Sequence, residues 1–234
     1  MLVSHLKRFI YTKTAKTAGT SIEVYFEPYC TPEGEWRFQH GHTEYESDSG
    51  IIGYRGKKNG EKKWFNHMPA AMIQRQLGQA IWEEYFKFCV VRNPFDKLVS
   101  AFHFAEAQKS RAVAGEKWRA GVKNPADSVH QLPIEERFRS WILQGAFPID
   151  RGAYTIDGKI CMDYFIRYED IKNGVQHVCQ VLEIPFEPER IPSLKAGFRP
   201  RGLSLRDYYS PETIQLVVER YAFEFDNFGY STVL

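Results

Sequence analysis

Twice in this chain a short apolar run ends at a loop and the residues that follow read as a helix. FIYTK (9–13) leads through TAKTAG into TSIEVYFEPY, which Pro28 stops, and KFCVV (87–91) leads through Arg92 into NPFDKLVSAFHFAEAQ. In the second helix Asn93 is the expected N-cap and Pro94 the first helical residue, where a missing N–H is harmless. DYFIRYEDI (163–171) repeats the pattern as a strand entering IKNGVQHVCQVLEI. Strands separated by helices cannot pair as tight hairpins, and they assemble instead into a parallel sheet with helices on its faces. The expected fold class is α/β, a three-layer arrangement of a parallel sheet flanked by helices.

Other segments fit around that frame. Pro69 begins a helix through AAMIQRQL that Gly78 ends, PIEERFRSWILQG (133–145) has amphipathic helical spacing, and SPETIQLVVERYAFEFDNFGY reads as a closing helix with a Ser-x-x-Thr start. Asp157-Gly158, between two short apolar runs in AYTIDGKICM, signals a hairpin. Residues 30–65 lack periodicity and are expected to form an irregular excursion. A chain of 234 residues, 43% of them hydrophobic, suffices for one well-buried domain over 1–234 and is short for two.

A formal charge of +2 gives no global pull toward nucleic acid, so any basic chemistry must be local. RGKKNGEKK (55–63) and KSRAVAGEKWRAGVK (109–123) are local clusters that read as solvated surface, or together as the rim of an anionic site. The four cysteines, Cys30, Cys89, Cys161 and Cys179, form no C-x-x-C pair, and two of them sit inside apolar runs. Reduced, buried thiols and a cytoplasmic location are expected. No stretch of eighteen apolar residues exists to span a membrane, and the opening residues lack the apolar run of a secretory signal.

The first loop nearly spells a nucleoside-triphosphate site and breaks its rule. That motif reads G-x-x-x-x-G-K-[ST], with lysine after the second glycine; here Lys16 precedes Gly19, and Thr20 and Ser21 follow it. A strand-to-helix turn still offers unpaired backbone N–H groups and the positive end of a helix dipole to an anion. Gly19 allows close approach, Thr17, Thr20 and Ser21 add hydroxyls, and Lys16 can reach over the bound group from the strand side. By itself KTAGTS also fits a Ser/Thr-capped helix with a surface lysine. The second junction turns the reading toward a ligand, because Arg92 ends a strand and Ser100 lies two turns into the next helix, on one face with Asp96. A guanidinium fork and a hydroxyl at that place suit a second anion, so the pair of junctions suits a nucleotide with two separate phosphate groups.

KTAGTS (16–21) and VVRNPFDKLVSAF (90–102) resemble the two nucleotide motifs of the sulfotransferases that use 3′-phosphoadenosine 5′-phosphosulfate, in particular the carbohydrate sulfotransferase branch. NHMPAAMI (66–73), YFIRYEDI (164–171) and the YYSPET to FGY ending (208–230) extend the resemblance over most of the chain. It implies a P-loop nucleotide-kinase-like fold and in-line transfer of a sulfuryl group to a hydroxyl or amine, with no metal. It further implies that residues 16–21, including Ala18, meet the 5′-phosphosulfate, and that Arg92 and Ser100 meet the 3′-phosphate. Arg199 and Arg201, in a basic Gly-containing loop, then close the nucleotide site, although the Arg-Lys-Gly triplet of relatives is missing and a solvated loop fits equally.

Sulfuryl transfer needs positioning and charge stabilisation more than covalent catalysis. Lys16 is the expected stabiliser of the leaving oxygen, and a histidine the expected base. His67, just before the helix at Pro69, leads; His40 and His42 follow, and no carboxylate or thiol partners give that H-x-H pair the spacing of a zinc site. His103 reads as packing or capping. The acceptor is expected to be a carbohydrate or small natural product, met by loops 30–65 and 105–130 with Trp36, Trp64 and Trp118 nearby; no motif speaks to oligomeric state. A phosphotransferase on the same scaffold is disfavoured by the position of Lys16. A non-catalytic nucleotide- or glycan-binding module would keep Arg92 and Ser100 and tolerate loss of Lys16 and His67.

Overall fold

The computed structural model describes residues 1–39, 41–56, 61–113, 132–145, 147–192, 200 and 202–234, and the chain divides into two compact units. The first joins Met1–Val91 to Asp150–Ser193, and the second joins Arg92–Ile149 to Leu194–Leu234.

The first unit is built on strands β1 (Leu2–Ser4), β2 (Phe9–Tyr11), β3 (Tyr45–Ser47), β4 (Gly50–Ile52), β5 (Phe86–Val91) and, later in the chain, β8 (Tyr164–Arg167). Among the described residues they make one six-stranded sheet in the order β3-β4-β1-β2-β5-β8. The three strands read from the sequence, β2, β5 and β8, are mutually parallel, but β1, β3 and β4 extend the sheet antiparallel. The sheet is therefore mixed rather than parallel, and the 30–65 stretch contains a hairpin where an irregular excursion was expected. Strands of three residues carry too few alternations to show a period, and β1, β3 and β4, unlike β2, do not lead by a short loop into a helix, so they escape a reading of pattern.

Alternation along the parallel strands explains why both faces are covered. Phe9, Tyr11, Phe88, Val90 and Ile166 share a core with α1 (Gly19–Phe26) and α7 (Ile171–Val181). Cys89 and Phe165 point to the opposite face, where Tyr154 of α6 (Arg151–Tyr154) meets Phe165 edge-on at 6.1 Å. The expected hairpin is present as β6 (Thr155–Ile156) and β7 (Lys159–Ile160), with Asp157 at φ 50° and Gly158 at φ 76°, the left-handed pair that a two-residue turn demands. Pro69 precedes α2 (Ala70–Leu77), and Gly78, at φ 86°, separates it from α3 (Gln79–Glu84). None of the four cysteines forms a disulfide, and Cys30, Cys89 and Cys179 are buried.

The second unit packs α4 (Pro94–Val113), α5 (Ile134–Leu143), α8 (Pro211–Arg220) and α9 (Ala222–Phe228) around an aromatic core containing Phe95, Phe138 and Tyr208. Asn93 caps α4 as expected, its Oδ1 accepting from Phe95 N at 2.9 Å. Ser210 and Thr213 form the reciprocal cap that starts α8. The closing helix is broken at Tyr221, whose ring is fully buried and whose hydroxyl donates to the Pro148 carbonyl at 3.2 Å. His103 is a packing residue, buried with Nε2 2.8 Å from the Tyr208 hydroxyl.

Candidate functional site

Between Tyr11 and α1 the loop is fastened from within. The Thr14 hydroxyl donates to the Val90 carbonyl at 2.6 Å, so its single proton is committed and Thr17 must be the donor in their 2.7 Å hydroxyl contact. The Thr17 hydroxyl, expected to face an anion, is thereby turned inward, and only its backbone can serve a ligand. Asp150 accepts the Ala15 N–H at 3.0 Å.

The helix start itself is left open. No side chain caps α1, so the Ser/Thr cap does not form; Ala18 occupies the N-cap position at φ 57°, ψ 23°. Its carbonyl takes the Ser21 and Ile22 N–H groups at 2.8 and 3.2 Å. Lys16 is also left-handed, at φ 62°. Such a conformation costs a non-glycine residue about 1–2 kcal/mol, and strain of this kind collects where a ligand is to be held. A left-handed residue leading into a helix turns successive N–H groups into a concave nest, at the end where the dipole is positive. Lys16 stands half-exposed at its rim, while Thr20 and Ser21 are buried.

Under the nest lies a cluster of charge that pattern reading does not find. Lys13 is 4% exposed, and its Nζ stands 2.6 Å from Glu23 Oε2 and 3.3 Å from Thr20 Oγ1. Glu23 also receives Arg55 Nη1 at 3.0 Å and the Met1 α-ammonium at 2.8 Å, and Arg55 continues to Glu27. Burial pushes the Glu23 carboxyl up, but the charges of Lys13, the α-ammonium and Arg55 outweigh it and hold the group well below the usual carboxylate range. Burial pulls Lys13 down from its ordinary pKa, and Glu23 works against that pull. Arg55 therefore departs from the solvated cluster it was grouped with, whereas Lys62 and Lys63 are exposed and pair with Glu44 and Glu46; residues 57–60 lie outside those described. Gly19 also has a second reason to be glycine: an added Cβ would stand 2.8 Å from Lys13 Cγ and 3.2 Å from the Thr14 carbonyl.

His67 comes to the same loop. Its backbone is left-handed, at φ 57°, and its Nδ1 lies 3.1 Å from the Lys13 carbonyl. A carbonyl only accepts, so Nδ1 carries the proton and Nε2 keeps the lone pair a base needs. Burial first, and then the Lys13 ammonium, push its pKa down to about 4. The side chain stays open to solvent on one side, which offsets part of that desolvation; the downward direction keeps the imidazole neutral at pH 7. His42 bridges Arg55 through its backbone and turns Nδ1 to the Thr43 carbonyl, and His40 lies outside the described residues.

In the second unit Arg92, Asp96 and Ser100 follow one another at intervals of four. Arg92 donates through Nε and Nη2 to a single Asp96 oxygen, at 2.7 and 2.6 Å, so the guanidinium is laid against the first turn of α4. Ser100 is half-buried on that helix. Arg199, Arg201, Trp118 and the basic stretch beyond residue 113 lie outside the described residues. Trp64 is 1% exposed and gives its indole N–H to Glu46, so it is packed rather than offered for stacking; Trp36 gives its own to Glu27. Among the described residues no group of three or more His, Cys, Asp and Glu side chains could hold a metal ion, and no helix is long and apolar enough to cross a membrane.

A helix start shaped for an anion, beside a histidine held in the tautomer of a base, is equipment for group transfer. Over residues 1–231 the chain matches the model of the Sulfotransferase family, and it belongs to that family. No curated protein and no solved structure gives a significant match.

Proposed function

We propose that this protein passes a sulfuryl group from 3′-phosphoadenosine 5′-phosphosulfate to a hydroxyl or amine, on a carbohydrate or small natural product. The observation that carries the reading is the uncapped, left-handed start of α1 with His67 hydrogen-bonded beside it. The donor supplies the sulfuryl group. The N–H groups from Thr17 to Thr20 receive its 5′ end, Ser21 supports the first turn, and the Lys16 ammonium meets the charge that grows on the departing oxygen. His67 takes the acceptor proton on Nε2. Arg92 and Ser100 hold the 3′-phosphate, and Arg199 and Arg201 close the nucleotide site. The family match covers both units, which supports one sulfotransferase domain of nucleotide-kinase type over 1–234. Cysteines that form no disulfide support a cytoplasmic setting.

Adenosine 3′,5′-bisphosphate should raise the thermal midpoint without added magnesium, and ATP should do little. Equal stabilisation by both, or strict dependence on magnesium, would favour a kinase; binding without turnover across acceptor classes, followed with a radiolabelled donor, would leave a binding module. Arg92→Ala removes a charge-assisted contact and should weaken the bisphosphate by about 1.5–3 kcal/mol, roughly ten- to hundredfold in Kd. Isothermal titration measures this directly, and an unchanged Kd would make Arg92 only the partner of Asp96.

A further inference from the structure

One residue of the buried charge cluster touches both parts of the site in the first unit. The Lys13 carbonyl meets His67 Nδ1 at 3.1 Å, its ammonium meets Thr20 Oγ1 at 3.3 Å, and its stem fills the space that a Cβ on Gly19 would occupy. We propose that Lys13 is a positioning residue that locks the imidazole and the anion loop into one register. The proposal rests on the sulfuryl-transfer reading of this site.

The geometry gives each contact a direction. An ammonium only donates, so Thr20 Oγ1 accepts from Lys13 and its own proton points away from that ammonium. Glu23, 2.6 Å from Nζ, fixes where the ammonium sits, and the side chain in turn anchors the backbone carbonyl that His67 uses. A shift of this one side chain therefore moves the aim of Nε2 and the shape of the nest together. The charged groups acting on the imidazole are the Lys13 ammonium and the Met1 α-ammonium, which disfavour its protonation, and Glu23, which favours it.

Lys13→Met keeps the stem and removes the charge, and Glu23 retains Arg55 and the α-ammonium as partners. In the ligand-free variant, NMR titration of isotope-labelled histidine should move the His67 midpoint upward by about 1 pH unit. Affinity for adenosine 3′,5′-bisphosphate should fall roughly five- to tenfold, about one hydrogen bond's worth, and the KM for the donor should rise with it. Lys13→Arg, which keeps the charge, should leave the His67 titration in place and recover most of the affinity. A lower thermal midpoint with unchanged titration and unchanged nucleotide affinity would overturn the proposal and make Lys13 a core ion-pair residue only. Loss of fold in both variants would do the same. If the wild type neither binds the bisphosphate nor transfers sulfuryl, the sulfuryl-transfer reading falls, while the His67 titration still reports whether Lys13 and the imidazole are coupled.

Discussion

Replacing His67 by alanine is expected to cut turnover about 10²–10⁴-fold while leaving bisphosphate affinity within about twofold of wild type. The two effects separate because the imidazole is held by the Lys13 carbonyl and needs no contact with the nucleotide to be in place. Its pH signature has a definite sign. The base must be neutral, and the ligand-free imidazole is pushed down to about 4, so the wild-type rate should hold from neutrality into mild acid and fall as pH drops through that value. An anionic donor on the neighbouring loop favours the imidazolium, so the acid limb in kcat should lie above the limb in kcat/KM, which reports the free enzyme. The alanine variant should lack the limb altogether. Full turnover in that variant, with the acid limb intact, would move the role to another histidine, and His40 or His42 would be replaced next.

The second large effect is on stability. Glu23→Gln leaves Lys13, Arg55 and the α-ammonium facing an uncharged amide in a site where Glu23 is 2% exposed. Removing one partner of a buried ion pair costs about 3–5 kcal/mol, which for a chain of this size lowers the thermal midpoint by roughly 10 °C. The exposed Lys63–Glu46 pair is the contrasting case, worth less than about 1 kcal/mol, and Glu46→Gln should be nearly silent. Because the folded carboxyl of Glu23 is held below its unfolded value, its contribution is fully present above the unfolded pKa and is lost as pH falls through the folded one. Urea midpoints measured from neutrality into acid should therefore decline more steeply for the wild type than for Glu23→Gln. Coincident curves would show that the carboxylate is not what the cluster is built around.

What could be read in advance was local chemistry. Pro94 after Asn93 fixes its own backbone, Gly78 after a periodic run and Asp157-Gly158 admit the positive φ a stop or turn needs, and each marks a boundary that the structure keeps. His67 was legible only through the company of NHMPAAMI, since no pattern within ten residues of it points to Lys13, 54 positions earlier. The charge cluster was illegible for the same reason. Lys13, Glu23 and Arg55 are each ordinary surface residues by type, and only their convergence across 10 and 32 positions makes them interior ones. Thr17 shows a subtler limit: a hydroxyl in a binding motif says nothing about where its proton goes until Thr14 and Val90 are in place.

The first unit is assembled from two separated stretches of chain, and this orders its birth on the ribosome. A nascent chain that has emerged as far as residue 149 holds β2 and β5 but not β8, the strand that covers the outer edge of β5 from Phe88 to Val91. Until residues 164–167 follow, FCVV is a bare apolar ribbon with unused N–H and C=O groups, ready to pair with another chain. The loop after β2 can turn early, but the Asp150 carboxylate that steadies it at Ala15 also arrives only with the second stretch. A chain released or cut between β5 and β8 would carry that open edge instead of a finished sheet.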